Sequence, residues 1–480
     1  MGSDLRDLLD SGVRGLRRLL GGEPEADRTA PSRGPAADAG SAAPVRGPVA
    51  GAGGAAPNSG PVADTLGGTA VAAERPSPVA RDAARLESDS VRGVLFLSHT
   101  DPAVSVSGVD RYLHGEFAWL AARNRRYSVF SPEQGALPRR YTRRDGGAVR
   151  AEGARAERLL PAVDTAADAA GIEAVVVHHL FGYEPAFARA LLERVRDRPI
   201  LFHLNDIYLL NLTRLADDFA WLPAQFGWTP DAFAAVAEEM EGVVSDWLRA
   251  ARMIVAPSQD LAARLAPRLD AYGIGSDRVR VEELLEFSSY RPCEPVRHAR
   301  PRLAFFGHAM ETKGWAVWQR LCADAGVRAA FDLFHIGADR DGDVDGVQGV
   351  AYTIGDGNPY APVAALHDHE IDLALLWSTV PESSSYTMWE AHAAAVPVLT
   401  GTASGNIAAS VGAGAVAGRV FEAEDELLRF LQDEGAVQAL VAARQGKSLL
   451  RMDHRSALPL ILGETATAAA GAEAGAEADA

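Results

Sequence analysis

A pattern that runs twice along this chain constrains its fold more than any single motif: a short apolar run, a glycine-containing turn, a helix-length segment, then the next apolar run. VRGVLFLSHT (91–100) is too short for a buried helix, and SGVDRYLHGEFAWLAARN after it carries apolar residues at helical spacing, which makes the pair a strand and a helix. YSVFSP, EAVVVHHL, PILFHLND and ARMIVAPS continue the alternation. Uninterrupted apolar strands separated by helices imply a parallel sheet covered on both faces. FSSYRPCEPVRHARPR (287–302) is proline-rich, polar and without period, and reads as a linker. The alternation then restarts with RLAFFGH, FDLFHIG, GVAYTIG, DLALLWS and PVLTG. The expected fold is α/β, with two Rossmann-like parallel-sheet domains over 89–290 and 300–462. They would face each other across a cleft at the carboxyl ends of their strands, where open α/β sheets bind ligands.

Composition agrees with two cores and narrows the partners. The chain has 480 residues and 48% hydrophobic content. A formal charge of -17 argues against nucleic acid, whose phosphates require clustered cations, and favours small molecules. Cys293 and Cys322 form neither a CxxC motif nor a disulfide framework, which suits a reducing cytoplasm. No apolar run reaches the roughly 18 residues of a membrane span, and no secretory signal pattern opens the chain. Residues 3–20, SDLRDLLDSGVRGLRRLL, are expected to form a basic amphipathic helix (1–20), either lying at the inner face of the cell membrane or docking on protein. The Ala/Gly/Pro-rich stretch 21–88 and the tail 463–480 are expected to be disordered, because neither can bury enough surface to offset its ordering entropy.

LALLWSTVPESSSYTMWEAHAAAVPVLTG (373–401) reads strand, turn, helix, strand. Ser383, Ser384 and Ser385 are natural N-caps, and the helix they open presents free N–H groups and a positive dipole end to a phosphate or diphosphate. Glu382 precedes that end and Glu390 lies inside the helix, about 7.5 Å beyond Ser385 at 1.5 Å per residue. Two carboxylates so placed can bracket a diphosphate and accept hydrogen bonds from sugar hydroxyls, an arrangement suited to a nucleotide sugar.

PESSSYTMWEAHAAAVPVL resembles the E-x7-E segment of retaining GT-B glycosyltransferases, family four in particular. The resemblance implies that Glu382 contacts the transferred sugar and Glu390 the ribose hydroxyls. FFGHAMETKGW (305–315) is similar to the family's strand followed by G-R-x-x-x-x-K-G. Gly307 there lets the backbone approach a ligand, Lys313 neutralises the donor diphosphate, and His308 stands where the family has Arg, offering a single neutral donor in place of a charged fork. SGVDR (107–111) resembles the glycine-rich loop G-G-x-x-R, with Gly108 kept and Ser107 replacing the first glycine. EAVVVHHLFG (173–182) resembles the strand-end motif whose histidine meets the donor sugar, which points to His178, with His179 as the near-equal choice. HLNDIYLLN (203–211) looks like the H-D-Y-Y-L segment of some members, with Asn205 in place of His and the role of Asp206 open. The resemblance, over roughly 91–460, implies a hexosyltransferase acting without cofactor or obligatory metal, by front-face transfer from a nucleoside-diphosphate sugar to a glycan, lipid-linked or small-molecule acceptor.

DGDVDG (341–346) begins like a calcium loop but has Tyr352 where a bidentate Glu belongs, and HDHE (367–370) reads as a polar helix end. Neither is taken as a metal site. Two rival functions share the fold: a non-catalytic GT-B subunit, suggested by Ser107, Asn205 and His308, and a nucleotide-sugar epimerase.

Overall fold

A computed structural model describes residues 91–104, 107–135, 139–163, 171–219, 222–225, 227–292, 298–337, 344–354, 358–442 and 448–463. The amphipathic helix expected over 1–20, the tract 21–88 and all but the first residue of the tail 463–480 lie outside these, as does the first half of DGDVDG. The described residues all belong to one compact unit.

The first sheet has eight strands: β1 Gly93–Leu97, β2 Tyr127–Pro132, β3 Tyr141–Asp145, β4 Ala148–Ala154, β5 Ile172–Val177, β6 Ile200–His203, β7 Met253–Ala256 and β8 Val279–Val281. Their spatial order is β4-β3-β2-β1-β5-β6-β7-β8. From β2 to β8 every pairing is parallel, whereas β3 and β4 form an antiparallel hairpin at the edge. β1 shows why its run is unbroken: Leu95 and Leu97 point into the core on one face of the sheet, Val94 and Phe96 into the core on the other.

Helices cover both faces. α1 (Gly108–Ala121) starts at a capping box, in which Ser107 Oγ accepts from the Asp110 amide at 3.2 Å and Asp110 accepts from the Ser107 amide at 2.7 Å. The opposite face is packed by α2 (Pro185–Val195), the short α3 (Leu212–Asp218), α4 (Pro230–Ala250) and α5 (Gln259–Ala271). Thr229 caps α4 with Pro230 at its first position, and Ser258 caps α5, so both starts follow the usual N-terminal chemistry.

The second sheet is parallel throughout: β10 Arg302–Phe306, β11 Asp332–Gly337, β12 Gln348–Ala351, β13 Leu373–Leu375, β14 Val398–Gly401 and β15 Gly418–Phe421. Its order, β12-β11-β10-β13-β14-β15, is that of a mononucleotide-binding pair, with the switch point between β10 and β13. α6 (Trp315–Ala323) and α7 (Tyr386–Ala393) follow those two strands. The chain is thus α/β, built from two Rossmann-like domains that face across a cleft, as the alternation predicts.

The segment read as a linker is partly a strand. β9, Leu285–Pro292, pairs antiparallel with β16, Ser448–His454. β9 escaped the apolar-run criterion because it has a single partner and most of its residues are exposed. Beyond β16 the chain returns to the first domain, where α8 (Pro459–Leu462) lies and Ala457, Leu458 and Ile461 pack with Val94, Phe96 and Leu113. Residues 457–461 therefore belong to the first domain's core, outside the 300–462 span expected for the second.

Candidate active site

Three loops of the second domain meet at its switch point. After β10, Gly307 adopts φ 133°, and a tight turn ends at Lys313 and Gly314. Gly314 sits at φ 84°, and a Cβ on it would lie 2.1 Å from the Trp377 carbonyl oxygen, so only glycine fits. After β13, Ser378 Oγ donates to the Thr312 carbonyl at 2.9 Å, and the Thr379 amide donates to the same oxygen at 2.9 Å, which ties the two loops together. After β14, Ser404 Oγ donates to the Ser378 carbonyl at 3.0 Å, and the Asn406 amide donates to the Glu382 carbonyl at 2.9 Å. Between them Gly405, at φ 62°, lies against the Glu382 backbone.

Glu382 is held by these loops, and its carboxylate accepts from Ser378 Oγ at 2.9 Å and from Lys313 Nζ. Ser385 caps α7 by accepting from the Met388 amide at 3.2 Å; Ser383 and Ser384 precede the cap. Glu390, five residues beyond Ser385, is fully buried. Burial raises its carboxyl above the usual range, and the Arg111 guanidinium 2.8 Å away opposes that rise.

The first domain supplies the facing wall. Arg111, on the first turn of α1, reaches Glu390 and lies 4.2 Å over the Tyr386 ring. Ser258 Oγ, while capping α5, donates to the Ser383 carbonyl at 2.6 Å. The N-termini of α1 and α7 consequently open on the same space. It is a cavity of about 460 Å³ lined by Ser107, Gly108, Gly307, His308, Lys313, Glu382, Ser383, Ser384, Ser385 and Glu390, together with His99, Arg111, Asn205, Asp206 and Tyr386.

Of the residues singled out from sequence, His178 and its near-equal alternative His179 are not among the lining residues. The His178 ring is fully buried, stacked on His203 at 4.5 Å and packed edge-on against Tyr112. Burial holds its pKa well below the ordinary imidazole value, with neighbouring His203 adding to the effect. Its connection to the cavity runs through Asn205, whose Nδ2 donates to the His178 carbonyl at 2.7 Å. His179 also stays out of the lining and pairs with Asp206 at 3.2 Å. The first-domain histidine that does reach the cavity is His99, just beyond β1. Burial first, and His179 second, push its pKa down to about 4, so its imidazole is neutral at pH 7.

Sequence reasoning gave no role to Arg111, Tyr386, Ser258, Gly405 or His99. Arg111 is the arginine of SGVDR, and its place in that motif was the available signal. Among the described residues no group of three or more His, Cys, Asp or Glu could hold a metal ion, and no helix is long and apolar enough to cross a membrane. Within HDHE, Glu370 is drawn instead into pairs with His298 and Arg302.

No protein-family model matches the chain, and no curated protein matches it by sequence. Among solved structures, it is similar to a sucrose-phosphate synthase from Thermosynechococcus elongatus, with TM-score 0.46 and 13% identity over 74% of this chain and 93% of that one. It is similar also to Anabaena HepE in complex with UDP-glucose, with TM-score 0.42 and 14% identity over 74% and 95% of the two chains. A third similar structure is WaaG, a glycosyltransferase involved in lipopolysaccharide biosynthesis, with TM-score 0.43 and 15% identity over 73% and 93%.

Proposed function

We propose that this chain is a retaining glycosyltransferase of the GT-B type, moving a hexosyl group from a nucleoside-diphosphate sugar to a hydroxyl of a glycan, lipid-linked or small-molecule acceptor. The observation that carries the reading is the convergence, in one interdomain cavity, of two helix N-termini, Lys313 and the two carboxylates Glu382 and Glu390. Backbone N–H groups and Lys313 stabilise a diphosphate leaving group. Glu390, whose buried carboxylate faces the cavity with Arg111 as its ionic partner, takes the ribose hydroxyls, and Glu382 takes those of the transferred sugar.

In the proposed step the acceptor oxygen bonds to the sugar's anomeric carbon on the face from which the diphosphate departs. The anomeric carbon–oxygen bond breaks with its electron pair going to the diphosphate, and the acceptor proton passes to a diphosphate oxygen. Gly307 and Gly108 give the diphosphate close backbone approach from either domain, and His308 offers one uncharged hydrogen bond. His178, whose Nδ1 lies 3.2 Å from Asn205 Nδ2, acts through Asn205 as a positioning residue. No cofactor or metal is assigned, and the protein is placed in the cytoplasm, with peripheral membrane contact through residues 3–20.

The deciding experiment combines a thermal-shift screen of nucleoside diphosphates and their sugars with an assay of donor hydrolysis and transfer. Nucleotide-sugar binding with turnover that Glu382→Gln abolishes is expected. Tight binding without turnover in the wild type would instead identify a non-catalytic subunit, and acceptor-free interconversion of the sugar an epimerase.

A further inference from the structure

Beside the donor cavity lies a second one, of about 300 Å³, lined by Arg214, Arg264 and Arg268 together with Asn211 and the apolar Ile207, Leu210, Leu265 and Pro381. Three guanidiniums around one cavity stand out in a chain whose formal charge is -17. Arg264 and Arg268 are one turn apart on α5, and Arg214 comes from the first turns of α3. Each has an acidic neighbour, but the contacts leave donors over. Arg214 meets Asp218, and Arg264 meets Asp260, through Nε alone, so the Nη groups of both have no hydrogen-bond partner among the described residues. Arg268 differs, donating from Nε to the Leu210 carbonyl and from Nη2 to Glu241, and it fixes the wall of the cavity.

Exposed single-contact ion pairs of this kind are weak, whereas a phosphate accepts two parallel N–H bonds from each guanidinium it meets. The cavity also adjoins the reaction space at two points of the chain. Asp206 lines the donor cavity and Ile207 this one; Glu382 lines the donor cavity and Pro381 this one. A molecule anchored here touches Pro381, the residue next to Glu382.

We infer that this second cavity is an acceptor subsite for a phosphate group, and that the acceptor is a phosphorylated hydroxyl compound held by Arg214 and Arg264. The inference rests on the transferase reading above and names the acceptor class for the same site. The phosphate can belong to a soluble sugar phosphate or to a lipid-linked glycan, since the arginines recognise the oxyanion in either.

The test is isothermal titration of the full chain with glucose 6-phosphate and with uncharged glucose, alone and in the presence of UDP, ADP or GDP. Co-sedimentation with phosphatidylcholine vesicles, with and without phosphatidic acid, forms the second arm. The wild type should bind at least one phosphate-bearing probe about tenfold or more tightly than its uncharged control, without displacement by the nucleoside diphosphate. Arg214→Gln with Arg264→Gln should lose that margin while nucleoside diphosphate affinity stays unchanged. Both side chains are more than one-third exposed, at 46% and 40%, so the variants should melt with the wild type. Loss in the glucose 6-phosphate arm identifies a soluble acceptor, and loss in the vesicle arm a lipid-borne one. The inference is overturned if neither probe outbinds its control, if the variants bind as the wild type does, or if nucleoside diphosphate displaces the probe. Failure of the transferase reading shows separately, as absence of binding by every nucleoside diphosphate, and would remove the acceptor role with it.

Discussion

Arg111 and Glu390 join the two domains through one ion pair, 2.8 Å long, whose carboxylate is fully buried and whose guanidinium is 18% exposed. Stranding a buried charge is costly, but an opening at Arg111 admits water. Arg111→Ala should therefore cost about 2 kcal/mol, short of the full penalty for breaking a buried pair. Burial already raises the Glu390 pKa, and losing Arg111 raises it further, so the variant's deficit should be smallest in acid, where Glu390 is protonated, and grow as pH rises. Urea titrations at several pH values would measure this; a deficit independent of pH would refute it.

The imidazoles behind the cleft should set an acid limit on stability. Burial holds His203 down at about 4, against an ordinary value near 6.5. Between those values the unfolded chain binds a proton that the folded chain refuses, so stability is full above the unfolded pKa and is lost as pH falls toward 4. At about 1.4 kcal/mol per unit, the loss is on the order of 3 kcal/mol for this one group. Neither ring nitrogen of His203 has a hydrogen-bond partner among the described residues, so His203→Phe forfeits none of their hydrogen bonds. Its stability curve should be visibly flatter between pH 6.5 and 4 than that of the wild type.

Glu382→Gln should separate chemistry from folding. Lys313 is 41% exposed, so its pair with Glu382 contributes under about 1 kcal/mol, and the melting temperature should hardly move. Transfer should fall by about 100-fold or more, the scale on which removal of one preorganised polar group slows an acyl-transfer centre. Nucleoside diphosphate affinity should be retained. Equal losses of affinity and rate would instead assign Glu382 to ground-state binding.

Gly405→Ala should do heavy damage for a single methyl group. The residue sits at φ 62° and ψ -127°, and a Cβ there would lie 2.5 Å from the Glu382 amide nitrogen. Backbone strain and displacement of the Glu382 loop together should cost about 3 kcal/mol. Differential scanning calorimetry would register it, and donor binding should weaken in parallel.

Much of the fold could be read from sequence because parallel strands buried on both faces are apolar without interruption, as in VRGVLFL or RLAFFGH. Most strands that escaped lack this burial: β4, AVRAEGA, is mostly exposed at a sheet edge, β8 and β15 are short and half-buried, and β9 and β16 form a two-stranded ribbon. β3, YTRRD, is buried over its first three residues but too polar to show as an apolar run. The second domain's half of the site was legible because Gly307, Lys313 and the run from Glu382 to Glu390 follow single strands, so chain order and spatial order coincide. Arg111, Ser258 and Gly405 act across contacts between distant segments, which spacing does not encode. His178 and His99 exchanged places for a similar reason. Both end neighbouring strands, and only the packing of Tyr112 and His203 decides which ring is enclosed.

The return of the chain after β16 has a consequence for synthesis. Glu116 on α1 accepts from Ser456 Oγ and, at 3.0 Å, from the Ala457 amide, partners that are translated 340 and 341 residues after it. A nascent first domain emerges with that carboxylate unpaired with these partners and without the share of its core that Ala457, Leu458 and Ile461 supply. It waits through the making of the entire second domain for these contacts, so the half of the protein that is translated first is the half that is completed last.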